Sequence, residues 1–386
     1  MNSRADVIII GGGVIGSAIA YFLAKEGVKP LVIEKRKAGQ ATCAAGGMLG
    51  AQVEMSEPGP LFDLAVKSRS LFSQIQEELY EISKVDIELN RTGMLRIAVS
   101  EEDRNELLGR IPWQTKAGYR AIWLEDKDLR QECGDFISST YGALFLPDDY
   151  QVRSPRYLRA LIEAAVVLGA TFVEETEVIG FVCEGERICG VKTLNGEYYA
   201  DQVVIATGAW SGLLASYLGI EIPVYPQKGQ SIFVDTTPHV SEYTIYTHGT
   251  YIIPKANGQT YIGATAEKAG FDSRPTLQNI ERLTTSATRL MPALSRSFFA
   301  GTITGFRPAS HDGLPYIGRL PQYEGLYAAT GHWRNGILLS AITGQSMAEL
   351  LLNRATSISL APFSPERLFH TKDTPVVSDS VSNSIR

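Results

Sequence analysis

The pattern of apolar and polar positions opens on a short β-branched run at residues 6–10, which stops at Gly11-Gly12-Gly13 and changes to helical spacing over 14–25. That change of period predicts a strand, a tight turn and a helix. A second apolar run at 31–34 closes on an acid, so the chain begins with one right-handed βαβ unit and a parallel sheet. Apolar side chains at 61, 64, 65, 72, 75, 79 and 82 keep to one face behind Pro58 and Pro60, which predicts a long amphipathic helix. The middle reads differently, with a strand at 94–99, a charged helical stretch from Glu101 and short strands up to 145, as in an antiparallel subdomain. Ser154 then offers an N-cap and Pro155 a first helical residue, ahead of an apolar stripe at 158, 161, 162, 165 and 166.

Further strands are expected at 176–182, 187–193 and 198–205, separated by Glu184-Gly185-Glu186 and Asn195-Gly196. Others follow at 230–234, 251–254 and 259–263, the last two joined at Asn257-Gly258, and a final strand and helix fall at 325–329 and 336–352. The fold class is therefore α/β plus α+β, a doubly wound Rossmann-like domain interleaved with a mainly antiparallel sheet domain. The first takes residues 1–85, 150–222 and 302–370 and the second 86–149 and 223–301, while the serine-rich tail 371–386 is expected to be disordered.

Composition narrows the partners. The 386 residues are 44% hydrophobic and 20% charged, which excludes a disordered or fibrous chain. Thirty-six basic against 42 acidic residues leave a net charge of −6 and no basic field for a nucleic-acid backbone. Cys43, Cys133, Cys183 and Cys189 lack CxxC spacing, and His239, His248, His311, His332 and His370 are scattered, so no metal site or disulfide framework is expected and a cytoplasmic location is favoured. The 18 uncharged residues at 7–24 have the length of a membrane span, but their glycines, with Asp6 before and Lys25-Glu26 after, read as a buried strand and helix instead.

GGGVIG at 11–16 satisfies GxGxxG. It follows a strand, opens a helix and is answered by Glu34 at the end of the next strand, which is the setting of a dinucleotide site. Gly11 permits the turn, Gly13 lets backbone approach a pyrophosphate, Gly16 allows close packing, and the helix N-terminus faces the phosphates. Glu34 suits ribose hydroxyls and repels a ribose phosphate. A glycine-rich turn without a ligand is the plainer alternative. The small-residue loop ATCAAGGML at 41–49 and the distant strand VVIATGAW at 203–210 favour FAD over NAD, because a flavin dinucleotide is wrapped by long stretches of chain.

Near the C-terminus, GFRPASHDGLPYIG at 305–318 and GHWRNGILLS at 331–340 place Arg307 and Arg334 in apolar, glycine-rich surroundings. The planar guanidinium matches a carboxylate, so both point to an anionic substrate. The alternative is an internal partner such as Asp312.

With GGGxIGxAxAxxLA, AAGGML, GxRPxxxDGxPxIG and GHxRNGILL all present, the chain resembles the flavin-dependent amine oxidases of the D-amino acid oxidase superfamily over about residues 5–370. Within it the resemblance is to the bacterial glycine oxidases of the thiazole branch of thiamine synthesis. The resemblance implies non-covalent FAD held by Gly11, Gly13, Val14, Ile15, Gly16, Glu34, Lys35, Ala41 and Thr42, by Gly46, Gly47 and Met48, by the Val178 backbone, and by His332, Trp333, Arg334, Asn335, Gly336, Ile337 and Leu338. It puts the substrate carboxylate on Arg307, with Tyr251 as hydroxyl partner and Arg334 completing the pocket.

The implied reaction oxidises glycine, sarcosine or small D-amino acids to the imino acid, with hydride passing from Cα to flavin N5. Hydrolysis then yields the oxoacid and ammonia, and oxygen is reduced to hydrogen peroxide. A homotetramer and a thiazole synthase acting downstream are also implied. Ala266 stands where such enzymes can carry methionine. The covalent cysteine and the lysine of sarcosine oxidases are absent, from 313–317 and at Leu338 respectively. No residue is assigned as acid or base, and His332 is read as a structural donor. A D-amino acid dehydrogenase reducing a quinone and a non-catalytic flavin-binding protein are the alternatives, with WRNG at 333–336 weighing against the first.

Overall fold

Val7–Ile10 and Pro30–Ile33 are strands with every side chain buried, as parallel strands covered on both faces must be. The computed structural model describes residues 3–133, 137–138, 140–236, 241–247 and 249–370; the tail expected to be disordered, His239 and His248 lie outside the described residues. Those two strands sit inside a six-stranded sheet of order Tyr316–Arg319, Leu326–Thr330, Val203–Ile205, Val7–Ile10, Pro30–Ile33 and Thr171–Val173. All neighbours are parallel except the first pair.

Alternation along the strands sorts the two cores. Val7, Ile9, Val32 and Val204 face the helices Val14–Lys25, Pro60–Ser83, Ser154–Val167 and Gly336–Leu351. Ile8, Ile10, Leu31, Ile33, Val203 and Ile205 face a smaller sheet made of Ser3–Arg4, Gly196–Tyr199, Arg187–Thr193 and Val178–Glu184. The expected strand 198–205 is therefore two strands in different sheets. Its apolar run concealed the corner, where Asp201 takes Arg4 and Arg187 as ion-pair partners. Ser154 likewise is not the cap. Arg153 occupies that position, Ser154 is the first helical residue, and its hydroxyl donates to the Ala45 carbonyl.

The second body is an eight-stranded sheet of order Phe298–Ser310, Val224–Asp235, Gln259–Gly263, Thr250–Pro254, Thr244–Thr247, Met94–Ile97, Ala143–Leu146 and Ile122–Leu124. Only Thr244–Thr247 and Met94–Ile97 pair in parallel. Its longest pairing sets Gln227 opposite Arg307 and Gly229 opposite Gly305. Residues 224–229 were not expected as strand, since Pro226, Lys228 and Gly229 carry little β signal; pairing with a long neighbour overrides that. The neighbour stays in this sheet to Ser310, past residue 302, where the sequence reading changes domain. No described helix is long and apolar enough to cross a membrane.

Candidate active site

The carboxyl ends of Val7–Ile10, Pro30–Ile33, Val203–Ile205 and Leu326–Thr330 open into one elongated cavity whose far wall is the large sheet. This is where open α/β sheets bind ligands. At one end Gly11 adopts φ +106°, and a Cβ there would lie 2.5 Å from the Ala206 carbonyl oxygen. A Cβ on Gly16 would lie 1.9 Å from the Gly11 carbonyl oxygen, so Gly16 sets how closely the helix approaches the turn. The helix starts at Val14 with no side-chain cap, leaving its positive end toward the cavity, and the Val14 N–H donates to Thr42 Oγ1 at 3.1 Å. Glu34 accepts from the Gly12 and Arg36 amides and from Gln40 Nε2.

Of the residues singled out in the sequence, Gly11, Gly13, Val14, Ile15, Glu34, Lys35, Ala41, Thr42, Gly46, Gly47, Met48 and Val178 line this cavity, as do His332, Trp333, Arg334, Gly336 and Ile337. Gly16, Asn335 and Leu338 do not. Gly16 lies behind Gly11, and Leu338 is buried in the helical core with its carbonyl taken by Ser68. The wall also includes Thr207, Trp210, Gly229, Ser231, Tyr261 and Phe306, which the sequence reading missed. Thr207, Trp210 and Phe306 stood within recognised motifs; Gly229, Ser231 and Tyr261 carried no local signal, because only the sheet register brings them there.

At the other end of the cavity, Tyr251 lies parallel to Tyr261 and nearly parallel to Tyr246, with both centroid separations 6.0 Å. The Tyr261 hydroxyl bridges the Ala44 carbonyl and Ser231, and burial pushes its phenol well above the ordinary range, so it stays neutral. Arg307 Nη1 donates to the Thr265 carbonyl at 2.8 Å. Its guanidinium rests over Gly229, where a Cβ would come within 2.5 Å of Nη1. Among the described residues Arg307 has no carboxylate partner. Asp312 is instead paired with Arg367 at 2.7 Å.

Arg334 behaves differently. It is 3.3 Å from Glu54 and donates to the Tyr246 hydroxyl. Glu54 holds the Arg334 pKa above that of an ordinary arginine, and burial, then the same carboxylate, raises that of Tyr246. The charge of Arg334 is thus answered within the protein, whereas that of Arg307 faces the cavity.

His332 is 2% exposed, with Nε2 3.1 Å from Thr343 Oγ1 and Nδ1 without a partner among the described residues. Burial lowers its pKa from 6.5 to about 3, so the ring is neutral at physiological pH. Between those values the unfolded chain binds a proton that the folded protein refuses, and stability is lost as pH falls, at up to about 1.4 kcal/mol per pH unit. His332→Gln is expected to flatten the dependence of the urea midpoint on pH across that range. Superimposable slopes for the two proteins would assign the effect to other groups.

The comparisons with known proteins agree with this geometry. The family model described as FAD dependent oxidoreductase matches residues 6–350. The chain is 38% identical over 370 residues to glycine oxidase of Geobacillus kaustophilus (strain HTA426), covering 95% of this chain and 98% of that protein. It is 31% identical over 385 residues to the bifunctional protein ThiO/ThiG of Synechocystis, covering 98% of this chain and 56% of that protein. The crystal structure of glycine oxidase from Geobacillus kaustophilus superposes with a TM-score of 0.91 at 36% identity, covering 94% of this chain and 98% of that one.

Proposed function

Because the chain belongs to the FAD-dependent oxidoreductase family, we propose that it oxidises glycine and other small amines, such as sarcosine and small D-amino acids, to the oxoacid, ammonia and hydrogen peroxide. The observation that carries this reading is the single cavity joining a glycine-lined dinucleotide end to an arginine with no carboxylate partner among the described residues. The residues present fit FAD. The Gly11 turn, the uncapped start of the helix at Val14 and Glu34 all lie on its wall, and His332 lines it with a ring nitrogen that has no partner among the described residues.

When bound, the flavin supplies the acceptor for the Cα hydrogen and its electron pair and delivers the electrons to oxygen. The protein's part is orientation. Arg307 holds the substrate carboxylate, its own position fixed by Thr265 and by the absence of a side chain at Gly229. Tyr251 offers a hydroxyl beside it, and the buried, neutral ring of His332 serves as a hydrogen-bonding group and not as a base. Arg334, tied to Glu54 and Tyr246, shapes the wall. One fixed carboxylate clamp and one cofactor face leave a single orientation for the Cα hydrogen, so only one hand of a substrate with a side chain reacts, which this reading takes to be D.

Relatedness to a ThiO/ThiG protein supports a role in supplying thiazole synthesis for thiamine, with thiazole synthase consuming the product. A homotetramer in the cytoplasm completes the reading, in keeping with the unpaired thiols of Cys43, Cys183 and Cys189. The test is spectroscopic. Purified protein is expected to be yellow, to release its colour on acid precipitation, to bleach on anaerobic addition of glycine, and to form peroxide when air is admitted. A flavin that stays oxidised with glycine, sarcosine and D-alanine alike would refute the reading.

A further inference from the structure

Three consecutive carbonyls of the loop at residues 45–47 face away from the cavity, each held from behind. The Ser154 hydroxyl donates to Ala45 at 2.9 Å, Lys255 Nζ to Gly46 at 2.7 Å, and the Val152 N–H to Gly47 at 2.8 Å. In a trans peptide the N–H points opposite to its carbonyl, so the amides of Gly46, Gly47 and Met48 are turned toward the cavity, whose wall all three residues form. Among the described residues neither the Gly46 nor the Gly47 amide meets an acceptor. Gly47 holds φ +82°, and a Cβ on it would lie 1.9 Å from the Val152 carbonyl oxygen, so the backbone itself must form this wall.

Lys255 differs from the other two anchors in bringing a charge. Its ammonium is enclosed, and its protons go to Gly46 O, to Gln151 Oε1 at 2.8 Å and to Val152 O at 3.2 Å. All three acceptors are neutral, and no described carboxylate lies within ion-pair distance. Burial lowers its pKa to about 7, the Glu88 charge opposing this and Arg153 adding to it. Enclosing an ammonium among neutral acceptors is unfavourable, and a methionine would fill the same space without that penalty. The loop it grips packs where a Cβ on Gly46 would meet Ile253, Tyr261 and Tyr251, at the Arg307 end of the cavity. That end is where the reacting ring of a cofactor has to lie if Arg307 holds the substrate.

Resting on the flavin reading above, we propose that Lys255 is a positioning residue for the cofactor: it locks and polarises the Gly46–Gly47 peptide so that the Gly47 N–H and the ammonium's own charge favour the reduced, electron-rich flavin. It touches neither substrate nor cofactor and acts through the peptide.

The test is the two-electron midpoint potential of the FAD-loaded protein, measured against reference dyes at a pH below the Lys255 pKa of about 7. Lys255→Met is expected to disfavour reduction about tenfold, lowering the potential by about 30 mV, and to bind FAD more weakly, while Lys255→Arg restores most of both. Should the methionine variant not fold, Lys255→Gln, which keeps a neutral donor to the Gly46 carbonyl and loses the charge, is read in the same way. An unchanged potential, or failure of both variants to fold with FAD, makes the lysine merely structural and overturns the proposal. A wild-type protein without flavin would instead remove the reading of the cavity, and its visible spectrum decides that before any variant is made.

Discussion

Arg307→Ala is expected to be nearly inactive with glycine while keeping its FAD and an ordinary flavin spectrum. The arginine has no carboxylate partner among the described residues and lines the cavity, so the substrate carboxylate completes a charge pair with it there. Removing one partner of such a pair costs about 2–5 kcal/mol, on the order of thirtyfold to several thousandfold in kcat/KM. Tyr251→Phe removes one neutral donor to a charged group, at about 1.5–3 kcal/mol, and should lose less. The two variants also separate Arg307 from Arg334, because Arg334→Ala would leave Glu54 nearly buried and uncompensated, and so should disturb stability as well as turnover. Glycine binding to Arg307→Ala with unchanged affinity, read from perturbation of the flavin spectrum, would sink the carboxylate assignment.

Gly16→Ala is the second change expected to have a large effect, though it adds one carbon to a residue that does not reach the cavity wall. That carbon would stand 1.9 Å from the Gly11 carbonyl oxygen, with Ile9 at 3.2 Å, and the nearest obstacle is backbone that cannot rotate aside. The helix Val14–Lys25 has to shift outward, carrying its N-terminal amides away from the phosphate position. Overpacking of this kind costs about 1–3 kcal/mol, and the cofactor site is displaced with it. The expected outcome is protein recovered largely without FAD and with a lowered urea midpoint. A variant that retained one flavin per chain through gel filtration would show that the turn tolerates the shift.

Much of this architecture is legible without coordinates because its signals are local. The change from a strand period to a helical one across GGGVIG, and the acid closing the next strand, need only neighbouring residues. The same holds for the helix Pro60–Ser83, whose apolar stripe requires a buried face. Where the reading failed, a local pattern had two continuations. The apolar run at 198–205 is compatible with one strand or with two meeting at a corner, and the corner falls at Asp201, where Arg4 and Arg187 from other strands pair with it. Ser154 carries the chemistry of a cap, but the loop at Ala45 offers its hydroxyl a better use.

The sequence by itself determined that this chain has a dinucleotide-binding βαβ unit, a second sheet, and two arginines in glycine-rich surroundings near its end, because residue type and short-range spacing dictate backbone period and turn chemistry. Only the tertiary structure decided which arginine is available. Glu54 and Tyr246 reach Arg334 across separations of 280 and 88 residues, while Asp312, the obvious neighbour of Arg307, turns to Arg367. It also decided that Lys255 stands behind Gly46, 209 residues away in the chain. The physical reason is common to these cases. A buried charge takes whichever partner the packed elements bring within reach of it, and that choice is made by sheet register and loop closure, which no stretch of sequence around the charge encodes.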